Sequence, residues 1–214
     1  MTHRIEIHGQ SRSFPTGDPF LDNEGDAEAD VVILLGSEVG NSIEAARGAR
    51  AIVIELDQEC LGVYTGEQAG REGSEVLGFA RYRNGDDPPS NLIELVRQPQ
   101  SAPEAIEAAQ GAFEAAGFDV SVCADQAGRI VDRLVRPKYN SALRFLDEGL
   151  ATAESIDLTC RLGLSYPDGP IERVERGGLA RHHDVTRALF DTYGTSGFAP
   201  ARRAVVAAAR RNRK

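Results

Sequence analysis

The sequence predicts an α/β half followed by an all-α half, and three observations carry that expectation. Val31–Leu35 (VVILL) and Ala51–Leu56 (AIVIEL) are unbroken apolar runs of strand length, as expected for strands covered by helices on both faces. Further β-rich runs alternate with turn-rich stretches and helical patterns as far as Cys123. From Asp125 onward the apolar residues instead recur every three or four positions, which is the helical period. The expected organisation is therefore an α/β domain over 1–124 and a helical domain over 125–214.

In chain order, Arg4–Ile7 (RIEI) reads as a first strand, and the Pro/Gly/Asp-rich stretch from Gly9 to Ala29 as loop. Val31–Leu35 and Ala51–Leu56 follow as strands, separated by a short helix over Ser42–Arg47. Glu75–Tyr82 and Asn91–Val96 are strands divided by the turn-forming NGDDPPS. Ser101 with Glu104 forms a capping-box pattern at the start of a helix that Gly117 stops. Asp119–Cys123 closes the half as another strand.

In the second half, Ile130, Val131, Leu134, Val135, Tyr139, Ala142, Leu143 and Leu146 mark a long amphipathic helix. Pro137 lies inside it, removing one backbone donor and predicting a kink. Thr152 caps a second helix through Leu162, YPDGP forces a turn, and further helices run over Leu179–Tyr193 and from Pro200.

Composition bounds the function. The 214 residues carry a net charge of −9, and no apolar run reaches the length of a membrane span. The N-terminal MTHRIEIHGQ lacks the apolar core of a secretory signal. Cys60, Cys123 and Cys160 are odd in number and without metal-ligand spacing, which predicts free thiols in a reducing compartment and hence a cytoplasmic protein. After Asp191 there is no acid, while Arg202, Arg203, Arg210, Arg211, Arg213 and Lys214 are basic. Without aromatic or glycine interleaving, this tail predicts an Ala/Arg helix frayed or docked on an acidic face of its own chain, not a nucleic-acid or membrane contact.

Three motifs invite chemistry. LLGSEVGNS (Leu34–Ser42) places Gly36 and Gly40 between a strand and a helix. It has neither the spacing nor the lysine of a phosphate-binding loop, because Asn41 follows Gly40, and it reads as a tight strand–helix turn. RHHD (Arg181–Asp184) puts His182 and His183 about 100° apart on a helix, so both cannot hold one ion unaided, and they read as solvated. Glu94 is a carboxylate in the apolar strand LIELV. It faces outward, or it is buried with a partner.

One stretch, DQAGRIVDRLVRPKYNSALRFLDEGLATAESIDLTCRLGLSYPDGPIERVERGGL, resembles the start of the C-terminal helical domain of 3-hydroxyacyl-CoA dehydrogenases. Its R-P-x-x-N helix and L-G-x-x-Y-P-x-G-P turn carry the resemblance, which continues upstream through LIELVRQPQSAPEAIEAAQGAFEAAGFDVSVCAD and spans about Ala29 to Phe198. The resemblance implies a Rossmann-like parallel sheet, here truncated, followed by a small helical domain through which two copies dimerise. It also implies an acyl-CoA thioester in a cleft between the domains. Carried over residue by residue, Glu94 matches the glutamate that orients the family's catalytic histidine, and Asn140 the asparagine that assists the substrate.

This chain departs from the family pattern at the chemistry. The position of the histidine falls on Ala80 in GFARYRNGD, and the serine segment reads LDQECL. RIEIHGQSRSFP stands where a strand and a G-x-G-x-x-G fingerprint are expected, with too few residues before Val31 for the full nucleotide-binding unit. The expectation is a degenerate member that binds acyl-CoA without NAD or metal and without redox turnover. The alternative is an active oxidoreductase on 3-hydroxyacyl-CoA, using NAD at a site supplied by a partner such as a full-length homologue. A third reading makes Glu94 the sole base of a hydratase or isomerase.

Overall fold

A computed structural model describes residues 2–22, 25, 28–39, 42–67 and 74–213. The chain divides into two compact units, one of residues 1–83 and 89–129, the other of residues 84–88 and 130–214.

Among the described residues the first unit has six strands: β1 (His3–Ile7), β2 (Val31–Leu35), β3 (Ala51–Glu55), β4 (Val76–Arg81), β5 (Leu92–Arg97) and β6 (Asp119–Ala124). They form one sheet in the sequential order β1-β2-β3-β4-β5-β6. All neighbours are parallel except β4 and β5, which pair antiparallel across the NGDDPPS turn. The unit also contains the short helices α1 (Ser42–Ala45) and α2 (Gly62–Thr65) and the longer α3 (Pro103–Ala115).

Alternation along the strands divides the apolar residues between two faces. Val31, Ile33, Leu35, Val53, Leu77, Phe79, Ile93 and Leu95 pack with Ala105, Ala108, Ala109, Ala112 and Phe113 of α3. The alanines keep that helix face flat, so the backbone lies close to the sheet. On the opposite face Val32, Leu34, Ile52, Ile54, Val76 and Val96 pack with Ile43, Ala46 and Leu61. Gly78 in β4 is needed there, since an added Cβ would lie 2.3 Å from Leu56 Cδ1.

The expected capping box at Ser101 is not formed. Helix α3 starts at Pro103 behind Ala102, with no side-chain cap. The Ser101 hydroxyl instead accepts the Gln98 amide at 3.0 Å, because Pro103, having no N–H, starts the helix two residues later.

The second unit contains α4 (Ile130–Asp147), α5 (Ala153–Leu164), α6 (Pro170–Arg176), α7 (Leu179–Tyr193) and α8 (Arg202–Arg211). Its main core gathers Tyr139, Ala142, Leu143, Ile156, Ile171, Val174 and Ala201. Thr152 caps α5 as expected, its side chain accepting the Ser155 amide. Helix α6 follows directly on YPDGP, where the sequence suggested only a turn. Asp157 starts it, the two carboxylate oxygens accepting the Ile171 amide at 2.8 Å and the Glu172 amide at 3.0 Å. Gly169 allows the approach, for a Cβ there would fall 2.1 Å from Asp157 Cγ.

The segment 84–88 accompanies this unit. Asn84 donates to the Arg173 carbonyl at 3.0 Å, and Asp87 pairs with Arg176 at 2.9 Å. Helix α8 is docked, with Arg203 on Asp147 at 2.6 Å and Arg211 on Asp184 at 2.7 Å. Among the described residues no helix is long and apolar enough to cross a membrane.

Candidate functional site

Within the sheet, β4 and β5 place Ala80 directly opposite Glu94, and β6 places Ser121 on the other side of Glu94. Residues paired in this way share one face, so the three side chains form a row across the sheet. Glu94 is 2% exposed, on a strand with neighbours on both sides. The outward-facing reading of this carboxylate is therefore corrected. Cys123, two residues beyond Ser121 on the same face, has its thiol pushed up by burial, with the Glu94 and Asp125 carboxylates adding to the rise and Arg129 opposing it.

At the C-terminal ends of β1, β2 and β3 a second carboxylate organises the loops. Glu55, the last residue of β3, accepts the Arg12 amide at 3.0 Å and the Ser13 amide at 2.8 Å through Oε1. Its Oε2 accepts the Gly36 amide at 2.9 Å. Gly36 has a φ of +97°, and a Cβ there would lie 2.4 Å from the His8 carbonyl oxygen, so only glycine fits between the two strand ends. The anchored loop inserts Phe14, 1% exposed, whose ring stacks on Phe20 at 4.4 Å. Arg81 lies over Phe14 at 5.1 Å and pairs with Asp18 at 2.7 Å.

In the helical unit, Asn140 belongs to a buried polar chain. Asp132 pairs with Arg136 at 2.7 Å, one turn along α4. Arg136 Nη1 lies 3.4 Å from His182 Nδ1, and His182 Nε2 lies 2.9 Å from Asn140 Oδ1. The Ala201 amide also donates to Oδ1 at 3.2 Å, while Asn140 Nδ2 donates to the Gly197 carbonyl at 2.9 Å. The last two contacts fix which end of the carboxamide is oxygen, and with it the histidine tautomer. His182 must donate from Nε2 to Asn140 and accept at Nδ1 from Arg136. Burial, then the charges of Arg136 and His183, push its pKa down to about 3, so the imidazole is neutral.

The two site residues drawn from the resemblance thus lie in different units, Glu94 in the sheet and Asn140 on α4. Asn140 is wholly buried, and its three hydrogen bonds join α4 to α7 and to the segment leading into α8. Pro137 lies inside the unbroken α4.

The solvated reading of RHHD fails for His182, which is 1% exposed. Its spacing from Leu179, Val185, Thr186 and Leu189 places it on the apolar stripe of α7. Neither Glu55 nor the Asp132–Arg136–His182 chain stood out in the sequence. The three cysteines are free. In LLGSEVGNS, Gly40 and Asn41 lie outside the described residues. Among the described residues, no group of three or more His, Cys, Asp or Glu side chains could hold a metal ion.

Residues 128–214 match the family model described as 3-hydroxyacyl-CoA dehydrogenase, C-terminal domain. The human mitochondrial hydroxyacyl-coenzyme A dehydrogenase is 33% identical over 104 residues, 49% of this chain and 32% of that protein. A 3-hydroxybutyryl-CoA dehydrogenase of Mycobacterium tuberculosis is 30% identical over 134 residues, 62% of this chain and 46% of that protein. The matched stretches therefore span a third to a half of the length of these relatives. The crystal structure of an (S)-3-hydroxybutyryl-CoA dehydrogenase from Ralstonia eutropha superposes with a TM-score of 0.73 at 22% identity, covering 85% of this chain and 66% of that one. At that identity the likeness establishes the fold. The resemblance read from the sequence holds, and so does the expected architecture of a mostly parallel sheet followed by helices.

Proposed function

We propose that this chain is a 3-hydroxyacyl-CoA dehydrogenase-like protein that binds an acyl-CoA thioester and carries out no NAD-dependent redox chemistry. The observation that carries the reading is Ala80 opposite Glu94 in the antiparallel pair. On the resemblance, a histidine working with this glutamate would take the substrate proton. A methyl group stands there, and general acid–base catalysis typically contributes about 10²–10⁴-fold in rate.

Two features of the sheet support the absence of a nucleotide site. Open α/β sheets take ligands where the strand order reverses, and the order β1 through β6 is sequential. The described residues at the strand ends also do not fit a dinucleotide. The amides of Arg12, Ser13 and Gly36, which could face a phosphate, are committed to the Glu55 carboxylate. A second anion would meet that charge at close range.

In this reading Glu94 supplies the polar end of the residual site. Asn140 acts as a positioning residue, holding α4 against α7 through His182. The free thiols suit a reducing compartment, and we place the protein in the cytoplasm. Leu158 and Leu162, one turn apart on α5 and 50% and 77% exposed, favour a homodimer through the helical unit.

Calorimetric titration tests the reading. Acetoacetyl-CoA is expected to give a saturable heat and NAD none, and the same protein should not oxidise NADH in its presence. A micromolar dissociation constant for NAD would overturn the reading. Turnover that appears only on mixing with a full-length homologue would instead favour an oxidoreductase whose nucleotide site comes from the partner.

A further inference from the structure

Strand β4 ends in Arg81, which by alternation follows Leu77 and Phe79 onto the α3 face of the sheet. Its side chain is charged and yet only 10% exposed. The guanidinium lies over two rings, 5.1 Å from that of Phe14 and 4.8 Å from that of Phe118. Nε donates to the Ser90 carbonyl at 2.5 Å, and Nη1 to Asp18 Oδ2 at 2.7 Å and to the Ser13 carbonyl at 3.3 Å. Asp18 is committed through its other oxygen too, since Oδ1 accepts the Phe20 amide at 3.0 Å. Among the described residues nothing accepts from Arg81 Nη2.

Arg81 borders a cleft of about 520 Å³ together with Asp18, Phe20, Asp22, Ala116 and Phe118, all within the first unit. That volume suits a small organic molecule, and rings with a few converging polar groups are the usual lining of such sites. The charges narrow the choice. Asp18 offsets Arg81, and Asp22, exposed at the rim, leaves these lining residues with one more negative than positive charge. An anion therefore gains no net attraction, and a cation would meet Asp22 but offer nothing to the Nη2 donor. An uncharged group with both an acceptor and a donor satisfies the two sides, and a carboxamide is such a group.

We propose that this cleft binds an uncharged aromatic carboxamide. The ring lies against Phe20 and Phe118, the carbonyl oxygen accepts from Arg81 Nη2, and the amide nitrogen donates to the Asp22 carboxylate. Arg81 can hold this role because Ser90, Asp18 and Ser13 fix its other two nitrogens, so Nη2 is presented without a further loss of side-chain freedom on binding. Glu94 and Asn140 take no part, and the site stands apart from the thioester reading.

The test titrates para-fluorobenzamide into the full chain and follows it by fluorine NMR, with para-fluorobenzoate and para-fluorobenzylamine as charged comparators on the same ring. The benzamide should bind saturably and both charged analogues severalfold more weakly. Two substitutions at exposed positions probe the cleft without entering the core. Ala116→Trp should fill it and abolish binding. Asp22→Asn removes the excess negative charge and should narrow the gap between benzamide and benzoate. Urea denaturation shows whether each variant is folded, and if Ala116→Trp is not, Asp22→Asn alone decides. Absence of saturable binding, a charged analogue that binds as tightly as the benzamide, an unchanged gap in Asp22→Asn, or binding retained by a folded Ala116→Trp overturns the proposal. Calorimetry with acetoacetyl-CoA reads thioester binding separately, so the two readings can fail independently.

Discussion

Ala80 and Glu94 face each other across the antiparallel pair of β4 and β5, both nearly buried, at 8% and 2% exposure. The resemblance puts the family's histidine and its orienting glutamate at these positions. Here the glutamate stays and the residue opposite it on β4 carries a methyl group. Ala80→His tests whether an imidazole at this position is enough to give redox turnover. On the function proposed above the variant should not oxidise NADH with acetoacetyl-CoA, because that reading gives the nucleotide no site. Substantial NADH-linked turnover by Ala80→His alone would mean that a nucleotide site survives.

Glu55 is expected to contribute more stability than a strand-end carboxylate ordinarily does. Its three acceptor bonds hold the loop after β1 and the turn after β2. Glu55→Ala leaves three amides without that acceptor, which should cost on the order of 2–3 kcal/mol in urea denaturation. Glu55→Gln, which keeps one acceptor oxygen, should fall between the variant and the parent. If Glu55→Ala is as stable as the parent, the loop finds other partners and the carboxylate is not its anchor.

What could be read from the sequence follows the kind of force involved. The buried strands were legible because β2 and β3 are covered on both faces and must be apolar throughout. The helical half was legible from its period. The start of α3 was misread, because Ser101 and Glu104 match a capping pattern that Pro103 displaces. Helix α6 was missed because its start depends on Asp157, which is 14 residues away on another helix. The burial of His182 did carry a signal, its place on the apolar stripe of α7, but adjacent histidines suggested solvent. The role of Glu55 left no local mark, since its partners come from two loops distant in sequence.

Asn140→Ala removes one donor and one doubly used acceptor from a fully buried position. The His182 Nε2–H, the Ala201 amide and the Gly197 carbonyl then lose their partners. Unsatisfied buried groups cost about 1–3 kcal/mol each before relaxation. A loss of at least about 2 kcal/mol is therefore expected by urea denaturation. Unchanged stability with weakened acetoacetyl-CoA binding would instead make Asn140 a ligand-contacting residue.

The proposed homodimer is tested at α5. Sedimentation of the parent chain at tens of micromolar should give a dimer, and Leu162→Glu should shift it toward monomer by burying a charge in the contact. A parent that sediments only as monomer would leave Leu158 and Leu162 as isolated surface residues.

His182 makes stability depend on acid in a defined direction. In the unfolded chain an ordinary histidine titrates near 6.5, whereas the folded pKa is about 3. Between those values the unfolded state binds a proton that the folded state refuses, so stability falls as pH falls from about 6.5 toward 3. The stabilisation is fully present above the unfolded pKa and is lost on the way down. The slope from one such group approaches about 1.4 kcal/mol per pH unit well inside the window. The paired carboxylates lose stability in the lower part of the same range, so the parent alone does not isolate the histidine. His182→Gln keeps an amide donor for Asn140 but has nothing to protonate. Its stability at pH 7 should drop, and its decline between pH 6 and pH 5 should be shallower than that of the parent by roughly one proton's slope. Equal slopes in that interval would show that His182 takes up its proton without unfolding, and the buried chain from Asp132 to Asn140 would have to accommodate an imidazolium.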